Sequence, residues 1–200
     1  MPLKFREGGV TKTAPIVTTV SEIYAIGATG PAGGFIFYDA GSWTGAHGGW
    51  RYLEALPYDV IGTESTFGGM SAEWGGAEWY PAVGVVDHNA IGAGKANTAK
   101  IVSVYGGRDP CNYRRNYAAA ICYGLSYGGY SDWVLPSKDE LNQLYLNRTS
   151  LDDYEPNHYW SSSEHGEDWY IEVWEQNFNT GNQNYTSKYM ANRLRPVRRF

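Results

Sequence analysis

Residues 131–141 read Ser131-Asp132-Trp133-Val134-Leu135-Pro136-Ser137-Lys138-Asp139-Glu140-Leu141 and carry the clearest local structural signal in the chain. Ser137 and Glu140 have the spacing of a capping box, in which each side chain accepts a hydrogen bond from the other residue's backbone amide. Leu141, Leu144 and Tyr145 follow at the i, i+3, i+4 spacing of a buried helical face. The stretch therefore predicts a helix that begins immediately after Ser137.

Strand-prone segments lie on both sides of this helix, and two further helical segments precede it. Aromatic and apolar residues dominate the candidate strands at residues 35–38, 51–56, 159–163, 168–178 and 194–200. The candidate helices cover residues 94–105 and 112–125. The chain contains 25 Gly, 17 Tyr and 8 Trp, a composition typical of short strands joined by irregular loops. We therefore expect an α+β fold.

Length and composition exclude several classes of protein. The 200 residues fit one domain, or one domain with an arm. Only 18% of the residues are charged, which excludes a disordered chain and a coiled coil. No apolar run approaches the ~18 residues of a membrane-spanning helix, and the first residues lack the apolar stretch of a secretory signal. The formal net charge of −5 argues against general nucleic-acid binding.

The N-terminal part divides at about residue 25. Residues 1–25 are rich in Thr and Val but poorly patterned, and we interpret them as an N-terminal arm or an edge strand. Residues 26–34, Ile-Gly-Ala-Thr-Gly-Pro-Ala-Gly-Gly, look like collagen triplets, but a triple helix needs glycine at every third position over many repeats. We expect a tight turn here, followed by one domain that extends over residues 26–200.

Residues 168–178 change their apolar pattern in the middle. The large apolar residues stand at odd positions up to Val173 and at even positions from Trp174 onward, so a regular strand cannot bury both sets. A bulge or turn near residues 173–174 would bring both sets to one side. The other side would then present a surface made of Asp168, Tyr170, Glu172, Glu175, Asn177 and Asn179.

No pattern of catalytic or metal-binding residues stands out. The four histidines lack metal-ligand spacing, so we expect neither a metal nor a cofactor. Acidic residues cluster within 167–175, but no nucleophile motif or distinct carboxylate pair marks an active site, and we expect no enzymatic activity. Cys111 and Cys122 can form a disulfide only if Cys111 lies in the loop before a helix; two free, packed thiols are an equal alternative.

Residues 177–192 have the composition of an antibody paratope, dominated by Asn, Tyr, Ser, Thr and Gly. Tyr offers a large contact area at a low entropic cost, and Asn and Ser offer adaptable hydrogen bonds. Trp174 and Phe178 precede the segment, and the candidate strand at residues 194–200 follows it. A polar segment held at both ends by packed strands favours binding over a flexible loop.

Four ordered motifs resemble the C-terminal domain of bacterial collagen-like adhesins. They are residues 26–38, residues 131–141, Tyr159-Trp160-Ser161-Ser162-Ser163-Glu164, and Arg195-Pro196-Val197-Arg198. The resemblance covers about residues 26–200. It implies a C-type-lectin-like fold, which is a small twisted antiparallel sheet with two or three helices and long irregular loops, usually without enzymatic activity.

The chain is more closely similar to the variable proteins of diversity-generating retroelements, which use this fold. In those proteins template adenines are miscopied, so asparagine codons become codons for Tyr, Ser, Thr and other residues. The resemblance implies a variable region at about residues 165–200. Its fixed positions would be Trp174, Gln176, Phe178, Gly181, Gln183, Lys188 and Arg193, and its rewritten positions Tyr185, Thr186, Ser187, Tyr189, Met190 and Asn192. Glu and Met codons require lysine-type template codons, or else those positions are not diversified.

These patterns together predict a non-enzymatic ligand-binding domain. We expect a protein ligand, with a glycan as the second option, and no nucleic acid or membrane span. The candidate ligand-binding residues are Glu167, Asp168, Tyr170, Glu172, Glu175, Asn177, Asn179, Tyr185, Thr186, Ser187, Tyr189, Met190 and Asn192. The resemblance implies a cell-surface or virion location, although no signal peptide is apparent, and it leaves the oligomeric state open.

Two alternatives accompany this prediction. The first is an adhesin domain of fixed specificity that binds anionic polysaccharide through the basic C-terminal end, which contains Lys188, Arg193, Arg195, Arg198 and Arg199. The second is a formylglycine-generating-type enzyme, since that fold is related. Its cysteine pair, Cys111 and Cys122, would have to converge in one cleft.

Overall fold

The computed structural model describes residues 22–41, 48–60, 72–75, 83–85, 88–106, 117–151, 154–166 and 172–200. Within these ranges the chain forms eight strands and three α-helices, which confirms the α+β class. In chain order they are β1 (Phe35–Asp39), β2 (Tyr52–Ala55), β3 (Ala72–Glu73), α1 (Gly94–Tyr105), α2 (Ala118–Tyr123), α3 (Lys138–Asn147), β4 (His158–Glu164), β5 (Glu172–Asn177), β6 (Gln183–Ser187), β7 (Ala191–Asn192) and β8 (Val197–Arg199).

The described strands form three small antiparallel sheets rather than the single sheet that we expected. Their orders are β1-β2-β8, β3-β7 and β4-β5-β6. Isolated bridges between Val134 and Val197 and between Tyr159 and Arg193 connect the sheets to the final segment of the chain. Most of the strands span only two to five residues. β2 lies between β1 and β8, which brings the two ends of the domain together.

The helix predicted from the capping box is present as α3. The Ser137 hydroxyl accepts a hydrogen bond from the Glu140 amide at 3.3 Å, and the Glu140 carboxylate accepts one from the Ser137 amide at 2.7 Å. α1 coincides with the prediction. α2 is shorter than the predicted 112–125, since it begins at Ala118 and ends at Tyr123, and residues 112–116 lie outside the described part of the chain.

Two large apolar clusters form most of the core. One lies between α1, α2 and the strands β4 and β5, and it includes Ile101, Trp160 and Val173. The other lies beneath α3 and includes Leu144 and Phe178. β4 is buried along nearly its whole length, which makes it the wall between the clusters.

The glycine-rich segment at residues 26–34 is a turn, as expected, and it surrounds a buried carboxylate. The amides of Ala32 and Gly34 donate to Oε1 of Glu54 at 3.0 and 2.8 Å. A β-carbon on Gly34 would lie 2.2 Å from the carbonyl oxygen of Ala55. Glycine is therefore required here by the close approach of two backbone segments. Residues 1–21 of the proposed arm lie outside the described ranges, while Tyr24 contacts the ring of Tyr52.

We expect Gly34→Ala to lower the free energy of unfolding by about 1–3 kcal/mol, because the added methyl group must displace backbone or the Glu54 side chain. Chemical denaturation measures the change. Gly124→Ala is the control, since Gly124 has a φ of −85° and the carbonyl oxygen of Ala120 would lie 3.3 Å from the new carbon. Equal stability of the two variants would contradict the close-approach explanation.

Candidate functional site

Strands β5 and β6 form the centre of the candidate site. They pair in antiparallel register, with Trp174 opposite Tyr185 and Glu175 opposite Asn184. Because side chains alternate between the two faces of a strand, Trp174 and Tyr185 lie on one face. Glu175 lies on the other face together with Val173, which is fully buried.

The irregularity that we predicted within residues 173–174 lies instead in the neighbouring strand. β5 is continuous through this position, whereas the register between β4 and β5 shifts between Trp160 and Glu164. Trp160 pairs with Glu175, and Glu164 pairs with Val173. β4 therefore advances by four residues where β5 advances by two. Because β5 is continuous, Trp174 lies on the face opposite Val173, where it is half-buried and does not join Val173 in the core.

Several predicted site residues are brought together on this outer surface. Tyr185 is 51% exposed, and Tyr189 and Met190, in the turn after β6, are 44% and 49% exposed. Asn179 is also exposed, in the turn between β5 and β6. The half-buried candidates are Glu172, Asn177, Thr186 and Ser187. Glu167, Asp168 and Tyr170 lie outside the described residues.

Two predicted surface residues are buried, so the expectation that they are presented to a ligand is wrong. Glu175 and Asn192 are only 7% and 9% exposed. The Glu175 carboxylate lies 2.6 Å from Nδ1 of His158 and accepts a hydrogen bond from the Asn192 amide, also at 2.6 Å. The continuous β5 strand turns Glu175 inward beside Val173, and these polar partners satisfy its carboxylate.

An aromatic cluster holds the Tyr185 side chain in place. The His165 ring stacks on Tyr185 with a centroid separation of 3.9 Å, and Trp174 meets Tyr185 edge-on at 5.9 Å. Lys138, at the start of α3, places its ammonium 3.3 Å from the centre of the Trp174 ring. Burial lowers the pKa of Lys138. His165 and Lys138 were not among the predicted site residues, because nothing local to either residue indicates that it faces β5.

A buried ion pair anchors the turn that carries Tyr189 and Met190. The Lys188 ammonium lies 2.6 Å from Oε1 of Glu164, and neither side chain is more than 2% exposed. Burial lowers the pKa of Lys188, and the neighbouring carboxylate opposes that shift. The Lys188 carbonyl also accepts a hydrogen bond from the Trp74 amide at 3.0 Å.

The Glu164 carboxylate joins several segments of the chain through hydrogen bonds. It accepts hydrogen bonds from three nearby backbone amides, those of Val83, Gly84 and Val85, at 2.8–3.1 Å. The turn after β6 is thereby tied to β4 and to residues 83–85. The sequence signal for this role of Glu164 was its position, because it is a charged residue at the end of an otherwise buried strand.

Other positions that we expected to be fixed connect the β5–β6 hairpin to α3. The Gln176 side-chain amide donates to Oδ1 of Asn142 at 2.9 Å, and the Gln183 side-chain amide donates to the Lys138 carbonyl at 3.0 Å. Gly181 has a φ of +84°, and a β-carbon there would lie 2.6 Å from the ring of Tyr145. These contacts hold the hairpin against the helix.

The basic C-terminal end forms internal ion pairs rather than an open cationic surface. Arg195 is fully buried, and its guanidinium lies 2.7 Å from Oδ1 of Asp59. Arg198 is 4% exposed and pairs with Glu54 at 3.0 Å and with Asp132 at 2.8 Å. The cations on which the polysaccharide alternative depends are therefore largely engaged within the domain.

The described ranges contain no cluster of three His, Cys, Asp or Glu side chains that could hold a metal ion. None of their helices combines the length and apolarity needed to cross a bilayer. Cys122 is a fully buried free thiol, and burial raises its pKa. Cys111, its proposed partner, lies outside the described residues.

In a Cys111→Ser background, we expect the Cys122 thiol to react with a thiol-specific reagent at mildly alkaline pH only when the protein unfolds. The reason is that the reactive thiolate is disfavoured by burial and the reagent cannot reach it. Absorbance of the released chromophore measures the reaction, and the same protein in guanidinium gives the full signal. Rapid stoichiometric labelling of the folded protein would contradict this placement.

Comparison with known proteins connects this site to a family. The family model of the Lcl C-terminal domain matches residues 85–198, which include α1 to α3, the β4-β5-β6 sheet and the turn anchored by Lys188. Comparison with curated protein sequences gave no significant match. The match covers more than half of the 200 residues. The chain therefore belongs to the Lcl C-terminal domain family, which is associated with ligand-binding and adhesin-like C-terminal domains.

Proposed function

We propose that this protein is a non-enzymatic binding domain with a C-type-lectin-like fold, and that its β5–β6 surface recognises a protein partner. One observation carries the proposal: large side chains are exposed on a backbone that buried contacts hold in place. Tyr185, Tyr189 and Met190 are each about half exposed, whereas Lys188, between two of them, is fully buried. Exposed aromatic residues on a rigid support are typical of binding hot spots.

The separation between exposed side chains and buried supporting residues also supports diversification of this surface by adenine-directed mutagenesis. Of the positions expected to be fixed, Gln176, Phe178 and Lys188 are buried. Of those expected to be rewritten, Tyr185 and Tyr189 are exposed. Side chains that point into solvent can change without altering the packing, so many sequences are compatible with one backbone. Asn192 is the exception, since it bonds the buried Glu175.

Sequencing of the DNA around the gene tests diversification. We expect a near-copy of the codons for residues about 165–200, differing almost only where the copy has adenine, together with a reverse-transcriptase gene. Positions that differ should include the exposed Tyr185 and Tyr189 and should exclude the buried Lys188. If neither the copy nor the enzyme is present, diversification is wrong, whereas the binding proposal is tested separately through the surface itself.

The chemistry of the exposed residues supports a protein partner over a charged polysaccharide. The exposed positions between residues 179 and 190 carry no charge; they are Asn179, Thr180, Asn182, Asn184, Tyr185, Tyr189 and Met190. Tyr and Met provide contact area for apolar and aromatic groups, and interfaces between proteins are enriched in both. An anionic polymer would need cations here.

We expect binding at this surface to change little with salt, because the exposed contacts are uncharged. A titration from low salt to about 1 M, where the Debye length falls to ~3 Å, measures the effect on Kd. A peptide selected on the wild-type protein is the probe, and heparin is the anionic control. A steep loss of peptide affinity with salt, parallel to that of heparin, would favour the polysaccharide alternative and contradict an uncharged interface.

A further inference from the structure

Strand β6 lies at the edge of its sheet. The order of that sheet is β4-β5-β6, and β6 pairs with β5 over Gln183–Ser187. No strand among the described residues pairs with the other side of β6. An edge strand directs the main-chain groups of every second residue away from its sheet.

The direction of these groups follows from the hydrogen bonds at the start of the hairpin. The Asn177 amide donates to the Asn182 carbonyl at 2.9 Å, so Asn182 faces β5. By alternation, the amides and carbonyls of Asn184 and Thr186 also face β5. The main-chain groups of Gln183 and Tyr185 therefore point outward, and within the described part of the chain no backbone hydrogen bond outside the β5–β6 pair involves them.

This edge lacks the features by which proteins normally prevent strand addition. Those features are charged side chains, proline and bulges. β6 reads Gln-Asn-Tyr-Thr-Ser, with no charge and no proline, and its register with β5 is regular throughout. Tyr and Thr favour extended backbone. The middle of β6 is open to solvent at Asn184 and Tyr185, and the other residues of the strand are half-buried.

We propose that an extended segment of the protein partner adds to β6 as a further strand of the β4-β5-β6 sheet. This inference rests on the proposed function, because the edge is continuous with the exposed side chains of Tyr185, Tyr189 and Met190. Only an extended polypeptide offers main-chain donors and acceptors that alternate at strand spacing, which excludes a glycan as the occupant. Main-chain bonds do not depend on side-chain identity, so they persist when the surface residues change.

The first test uses the free protein and hydrogen exchange. We expect the amides of Gln183 and Tyr185 to exchange faster than those of Asn184 and Thr186, whose hydrogen bonds lie in the β5–β6 ladder. A bound peptide should slow the exchange of Gln183 and Tyr185 specifically. Binding that leaves both of these amides unprotected would overturn the proposal.

The second test acts on the peptide, so it requires no change in the protein. A random displayed-peptide library is selected on the wild-type protein, and a selected peptide is then methylated at one backbone nitrogen at a time. We expect affinity to fall about tenfold at alternate residues, where a main-chain hydrogen bond is lost, and to change little at the residues between them. A scan without this two-residue period would overturn the proposal.

The third test removes the outward amide of β6. Tyr185→Pro lacks the N–H, and Tyr185→Ala keeps it, while both variants lose the same ring. We expect Tyr185→Pro to bind the selected peptide about tenfold more weakly than Tyr185→Ala. Thermal unfolding confirms that each variant is folded. If Tyr185→Pro is unfolded, the peptide scan decides, because it uses the wild-type protein.

The outcomes separate this inference from the proposed function. If peptides bind through Tyr185, Tyr189 and Met190 without dependence on their main chain, strand addition is wrong and the binding surface stands. If no peptide is selected, or if selected peptides ignore these three residues, the proposed protein-binding surface fails as well. Concentration-dependent dimerisation that Tyr185→Pro abolishes would assign the edge to a second copy of the chain and would overturn the proposal.

Discussion

Replacement of Lys188 by alanine is expected to lower the free energy of unfolding by about 3–5 kcal/mol, since it leaves the Glu164 carboxylate buried without its counter-charge. Neither member of the pair is more than 2% exposed, and the carboxylate cannot rotate to water without releasing the amides of residues 83–85. The loss should also loosen the turn that carries Tyr189 and Met190, so binding should weaken even in the fraction that remains folded.

Chemical denaturation measures the stability of this variant. Lys100→Ala is the control, because Lys100 lies on the exposed side of α1 and its loss should change stability by less than about 0.5 kcal/mol. The double variant Lys188→Met, Glu164→Gln should be more stable than Lys188→Ala, since it removes both charges while keeping most of the volume. A Lys188→Ala variant as stable as Lys100→Ala would show that the ion pair does not anchor the turn.

Simultaneous replacement of Tyr185, Tyr189 and Met190 by serine is expected to weaken binding of a selected peptide more than a hundredfold, because truncation of hot-spot residues costs about 2 kcal/mol or more each. The three side chains are about half exposed, so their loss should lower the free energy of unfolding by only about 1 kcal/mol, mainly through the lost stacking of Tyr185 on His165. Titration calorimetry measures the affinity, and denaturation confirms the fold.

A matched control places the same number of serine substitutions on another surface. Tyr58, Val104 and Tyr123 are 43%, 42% and 55% exposed and belong to neither β5 nor β6. Serine at these three positions should leave the affinity unchanged. Equal losses of affinity in the two triple variants would mean that the β5–β6 surface has no special role.

The α3 helix could be predicted with its first residue because its signal is local. The reciprocal hydrogen bonds of Ser137 and Glu140 join residues three positions apart, and any chain with that spacing ahead of apolar residues can form them. The location of the candidate surface was also predictable, because exposed Tyr and Asn residues between packed strands occur in one continuous segment. The three exposed large apolar residues there, Tyr185, Tyr189 and Met190, were all among the candidates.

The burial of Glu175 could not be predicted, because it depends on how β5 pairs with other strands. The pairing of β5 with β4 and β6 places Val173 and Glu175 on the face that meets the core. The contacts of Lys138 with Trp174 and of His165 with Tyr185 could not be predicted either, because they form only when α3 and β4 pack beside β5.

The amino-acid sequence by itself determined the starts of α1 and α3, the mixed α and β composition and the segment that carries the exposed aromatic residues, because each depends on neighbours within a few positions. Only the tertiary structure decided which charges are available to a partner. Lys188, Arg195 and Arg198 appear as a basic terminus in the sequence, yet each pairs with a carboxylate that is at least 24 residues away along the chain. Since desolvated charges require counter-charges, these cations form ion pairs inside the domain and stabilise its fold. The candidate binding surface consists instead of uncharged side chains and a free strand edge.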